Sequence, residues 1–169
     1  LIYRYFGGLP PLLEEFGRDA DFWLGLDDIL AEANRESGGE PPKDYAGLMR
    51  LVLLSYTRIL RHQPLMQEIL ASELSAPPEL IAPLGTARRD TARAALEDFI
   101  GDAEPPEGVD AEAVFAILLA GFMYLSIRHK VEDQFWGIPI ETDEQWKRFE
   151  EAMSFIVKRV YSNGDKEKS

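Results

Sequence analysis

Between Glu112 and Arg128 the chain runs through fifteen residues, AVFAILLAGFMYLSI, without a charge. The run falls short of the roughly 18 residues that signal a bilayer-spanning helix, so it reads as a helix covered by protein. At 3.6 residues per turn, Phe115, Leu118, Leu119, Phe122, Ser126 and His129 share one side. Ala113, Ile117, Ala120, Gly121, Tyr124 and Arg128 share the opposite side. A helix apolar on both sides must be covered on both. Two arrangements meet that demand. The helix is central in one domain, or one face packs inward while the other meets a second copy of the chain.

The rest of the chain keeps the same period. Apolar residues recur at three and four, and no long run alternates apolar with polar, so the fold class is all-α. Pro and Gly clusters punctuate the helices. A first helix begins at Pro10 or Pro11, with Gly17 and Gly25 marking a bend or break. After the loop ESGGEPPKD, Asp44 caps a helix to about His62, whose Arg50, Arg58 and Arg61 are expected in solvent. A short helix runs from Pro64 to about Leu74. A long one reaches about Ile100, kinked or started by Pro83. Asp110 caps the apolar helix, and Thr142 with Gln145 forms a capping box for the last one. In that last helix Trp146, Phe149, Met153, Ile156 and Val160 are spaced three, four, three, four, a seam suited to another helix at a shallow angle. Such a seam either closes the core of one copy or, with Ile117, Gly121, Tyr124 and Arg128, forms the homodimer interface expected here, four helices with two from each copy.

Signs of catalysis are thin. The chain has no Cys, no Gly-rich phosphate loop and no nucleophile elbow. His129 followed by Glu132 and Asp133 has metal-ligand spacing, but the pattern is not repeated, so neither a metal nor another cofactor is expected. A net charge of −12 disfavours this portion as a nucleic-acid surface. Aromatic, Met and polar residues on the helices form a candidate ligand-binding set: Phe22, Trp23, Met49, Tyr56, Met66, Phe115, Leu119, Phe122 and Ser126. Such walls with a few polar groups either fill a core or line a pocket.

The opening residues carry a resemblance. Ile2-Tyr3-Arg4-Tyr5-Phe6, the pair Gly7-Gly8 and then Leu12 resemble the end of the DNA-binding motif of TetR-family transcriptional regulators. In that family the stretch closes the recognition helix of a helix-turn-helix, and an all-helical ligand-binding and dimerisation domain follows. The resemblance implies that residues 1–8 end such a recognition helix, with the rest of the DNA-binding domain upstream. It implies that residues 9–162 form the regulatory domain and 163–169 a polar tail. Tyr3, Arg4 and Tyr5 then take the DNA-contacting positions, while Leu9 stands where the family often has Lys. The expected protein is a cytoplasmic regulator, most simply a repressor. It binds a palindromic DNA operator as a homodimer and is released by a small, largely apolar effector. The other expectation left open is a helical small-molecule-binding or adaptor domain with no DNA role.

Overall fold

A computed structural model of the chain describes residues 5–19, 23, 31, 35 and 41–162, with Leu80 by its backbone alone. Among the described residues six helices are defined: α1 (Leu9–Gly17), α2 (Tyr45–His62), α3 (Pro64–Glu73), α4 (Pro78–Ile100), α5 (Ala111–Arg128) and α6 (Asp143–Tyr161). The fold is the all-α bundle that the apolar period calls for. One element breaks it, an antiparallel hairpin of β1 (Gln134–Phe135) and β2 (Ile138–Pro139) with Phe135 opposite Ile138. Two-residue strands carry no period, so nothing in the alternation of side chains marks them.

Helix starts follow side-chain chemistry. The Asp44 carboxylate accepts the Gly47 N–H at 2.9 Å, and Asp110 accepts that of Ala113 at 3.0 Å. Each fills one of the donors left open at a helix start. At α6 the Thr142 hydroxyl accepts from the Gln145 N–H, while the Gln145 side chain accepts from the backbone of Glu141 and Thr142. This is the capping box that the sequence spells. Pro occupies the first turn of α1, α3 and α4. Pro83 neither starts nor ends a helix; α4 continues through it.

α2 is the hub. It packs on α3, α5 and α6, while α1 packs on α4. Two apolar clusters result. The first joins Met49, Leu53 and Leu54 of α2 to Phe122 and Leu125 of α5, Ile140, and Trp146, Met153 and Val157 of α6. The second gathers Trp23, Leu60, Met66, Leu70 and Leu84 from α2, α3, α4 and the segment after α1. The Tyr161 hydroxyl donates to the Ala111 carbonyl at 2.8 Å, and the His129 ring meets the edge of Trp146. Those two contacts tie opposite ends of α5 and α6 together, so the helices run antiparallel.

The two apolar helices differ in how they are covered. The seam of Trp146 and Met153 does not face outward. Both are fully buried in the first cluster, with Phe149 and Val160 half-buried against it. α2 covers that side: Arg58 pairs with Glu150, and Arg61 lies 4.4 Å over the Trp146 ring. Of the two arrangements open to α5, the chain adopts the one with a single face inward, for Ala113, Ala116, Ile117, Ala120, Gly121 and Tyr124 are exposed.

Candidate sensing and interaction surfaces

The candidate ligand residues divide between the two clusters. Met49 and Phe122 are buried in the first, where Phe115 and Leu119 pack half-buried against it. Trp23 and Met66 are buried in the second, with Tyr56 against it. Phe22 lies outside the described residues. The two described clefts are lined elsewhere. One, of about 420 Å³, sits between Tyr45, Ile100, Val109 and Glu112; its neighbour, of about 340 Å³, lies between Pro42, Leu48, Phe99 and Ala103. Both adjoin the loop before α5 rather than the interior.

Where the clusters meet, the packing holds polar groups. Ser55 follows Leu54 of the first cluster and precedes Tyr56 at the second. Ser126 stands likewise between Leu125 and Ile127. Both hydroxyls are buried, and neither has a hydrogen-bond partner among the described residues. Gln67 is buried too, and its amide donates to the carbonyls of Leu60 and Arg61 at 2.9 and 3.1 Å. The same nitrogen lies 3.5 Å from Nε2 of His129. Burial, and then the charges of Arg61 and Lys130, hold the His129 pKa below the usual histidine range. Arg61, expected in solvent, is buried; its guanidinium is stacked on Trp146 and paired with Asp143. Its long apolar stem and flat head make both contacts available, which charge alone does not foretell. Gln67 gave no sequence signal either, since a lone Gln on a helix is ordinary.

A second polar node joins α3, α4 and Trp23. Arg88 makes two hydrogen bonds to Glu73, at 2.7 and 2.8 Å, and its guanidinium lies 4.9 Å over the Trp23 ring. The Trp23 indole N–H donates to the Phe16 carbonyl of α1. At the metal-spaced residues, Glu132 pairs with Arg128 on its own helix end.

Apolar side chains reach the outer surface on α5 and, among charged neighbours such as Arg159, on α6. Ile117 is 71% exposed and Phe155 63%, with Tyr124 and Ile156 also in solvent. Gly121 has open space where a side chain would start. Of the interface set, Ile117, Gly121, Tyr124 and Ile156 are therefore on the surface, Arg128 is half-buried, and Trp146 and Met153 are not available to a partner. By length and composition α5 is apolar enough to cross a membrane. Trp136, at the hairpin turn, was missed as a surface residue and is 93% exposed.

Of the DNA-contacting set, Tyr3 and Arg4 lie outside the described residues. Tyr5 is helical and exposed, and Gly7 turns the chain at φ 76° before α1 begins. No family model matches the chain, and neither does a curated protein or a solved structure.

Proposed function

We propose that this chain is the sensing and dimerising part of a ligand-responsive transcriptional regulator, a cytoplasmic repressor. It pairs with a second copy through α5 and α6, grips a palindromic operator, and lets go when a small, largely apolar effector binds. The observation that carries the reading is the uncharged exposed face of α5, with Phe155 and Ile156 of α6 also in solvent. A monomer gains nothing from leaving such a strip in water, whereas a contiguous apolar patch marks an interaction site. The resemblance of residues 2–8 to the end of a DNA-recognition helix supplies the DNA role, with Tyr5 exposed at that end. For the effector, Ser55 and Ser126 are the polar positions best placed to fix an otherwise apolar molecule, because their hydroxyls are buried without partners among the described residues and their sequence neighbours belong to both apolar clusters.

A two-fold dimer presents two DNA-reading heads at a fixed spacing, so a ligand that tilts one helix against another changes operator affinity. Coupling of this kind is worth roughly 1–3 kcal/mol, or about 5–150-fold. The Arg88–Glu73–Trp23 node, which ties α1 to α3 and α4, is the contact through which interior packing reaches the head end. The test is an electrophoretic mobility shift of the encoded protein on DNA upstream of its own gene. Binding that weakens as salt rises, and that an apolar effector reverses, is the expected result. No shift at low salt on any upstream fragment rejects the DNA role and leaves a helical small-molecule-binding or adaptor domain.

A further inference from the structure

The hairpin between α5 and α6 places the bulkiest side chain where a small one belongs. Its two-residue turn is Trp136-Gly137, with φ of 55° and 76°. A turn of this kind needs positive φ at both positions, and Asn-Gly or Asp-Gly is the usual solution. A bulky residue at positive φ is a genuine outlier. The turn is nevertheless held firmly. The Ile140 N–H donates to the Asp133 carbonyl at 2.9 Å across the base, Ile140 is fully buried, and its carbonyl accepts the Trp146 indole N–H at 2.7 Å. The Phe135 ring meets the edge of Tyr124 at 5.8 Å. Tyr124 belongs to the exposed face of α5, so the rigid turn stands at the carboxy-terminal edge of that face with its indole almost wholly in water.

We propose that Trp136 is a docking arm that packs onto a second copy of this chain, over the amino-terminal end of that copy's α5. The inference rests on the dimer reading above. Charge selects the occupant. The α5 face is uncharged from Ala113 to Ile127, begins beside Glu112 and ends at Arg128. An antiparallel two-fold pairing of α5 with itself brings the acidic end of each copy to the basic end of the other, and isologous contacts of this sort are how dimers close. Glu112 already pairs with Arg93, and Arg128 with Glu132, so the pairing extends existing ion pairs. In that arrangement the hairpin of one copy lies over the start of α5 in the other.

Area points the same way. Two helices of this length, at 1.5 Å rise per residue and about 10 Å wide, present a strip of roughly 500 Å² per copy. A standard interface takes about 800 Å² from each partner. An indole contributes about 150–250 Å² when covered, which closes most of that gap.

The test uses the full chain with Trp136→Asn and, separately, Ile117→Glu, followed by analytical ultracentrifugation. Trp136→Asn restores the favoured Asn-Gly turn, so the hairpin keeps its shape while the indole is lost. The expected result is an unchanged circular dichroism melt of the separated copies and a dimer Kd raised at least about tenfold, as for an aromatic anchor. Trp23 and Trp146 are buried, so acrylamide quenching reads Trp136 above the rest. It should be shielded in the dimer and accessible in Ile117→Glu. A wild-type chain that stays monomeric at tens of micromolar overturns the dimer and the arm together. A wild-type dimer that Ile117→Glu dissociates, while Trp136→Asn leaves its Kd unchanged or Trp136 stays quenchable, overturns the arm alone. So does an indole that becomes shielded only when phosphatidylcholine vesicles are added.

Discussion

Ser126 is the residue at which stability and sensing pull apart. Its hydroxyl is fully buried with no partner among the described residues, and an unpaired buried hydroxyl costs about 1–3 kcal/mol. Ser126→Ala is therefore expected to stabilise the ligand-free chain by up to about 1 kcal/mol, read by urea denaturation. The same change should weaken an effector that bonds there by roughly fivefold in a calorimetric titration, since a net hydrogen bond is worth about 1 kcal/mol. His129 is a second such point. Burial and the neighbouring charges of Arg61, Lys130 and His62 depress its pKa in the folded chain. The unfolded chain binds the proton first, near the ordinary histidine value of about 6.5. Stability is thus fully present above about pH 6.5 and falls as pH drops from there toward the folded pKa. A melt at pH 5 should lie below that at pH 7, and His129→Gln should remove part of the difference. At this scale the sequence was a poor guide. Ser126 and His129 stood out by type and by helical side, but Arg61 reads as a solvated charge until the flat guanidinium is seen over Trp146. Such contacts depend on a ring more than eighty positions away, and local pattern holds no trace of them.

Elements were more legible, because their boundaries rest on neighbours in sequence. Asp44, Asp110 and Thr142 with Gln145 each cap the helix that local chemistry assigns to them. Gly17 shows where that reasoning stops. By propensity it weakens a helix and permits a bend, and α1 does end there. Its deeper role is in packing. A side chain begun at Gly17 would meet the Leu84 carbonyl oxygen at 2.7 Å and the Ala87 Cβ at 2.9 Å. Those atoms are backbone and first side-chain carbon of α4, and neither can swing aside. Gly17→Ala, a gain by propensity alone, is expected to destabilise the chain by about 1–3 kcal/mol as α1 is pushed from α4. Thermal denaturation checks the sign. An unchanged or raised midpoint would mean that the crossing is loose. The same crossing carries Phe16, whose carbonyl holds the Trp23 indole, so the substitution should also disturb the link to Arg88 and Glu73. The α6 seam marks a second limit of local pattern. A three-four spacing says that a helix will lie alongside, and α2 of the same chain supplied it.

For the whole molecule, charge and apolar surface oppose each other in a way that salt can separate. Each copy carries −12, so two copies joined along α5 and α6 bring −12 and −12, or −24, into one particle. The joining face itself is nearly neutral, and the repulsion comes from the rest of the surface. Long-range repulsion of this kind is screened as the Debye length shrinks from about 30 Å at 0.01 M salt to about 8 Å at 0.15 M. Apolar burial is not weakened by the same change. Self-association should therefore tighten with added salt, whereas binding to a polyanionic operator should loosen with a slope set by the phosphates neutralised. Sedimentation equilibrium at 0.01 and 0.15 M salt gives the first slope, and a mobility shift over the same range the second. Slopes of opposite sign mean that one surface pairs copies and another reads DNA. If association instead weakens as salt rises, ion pairs such as Glu112 with Arg128 hold the copies together rather than the uncharged strip between them.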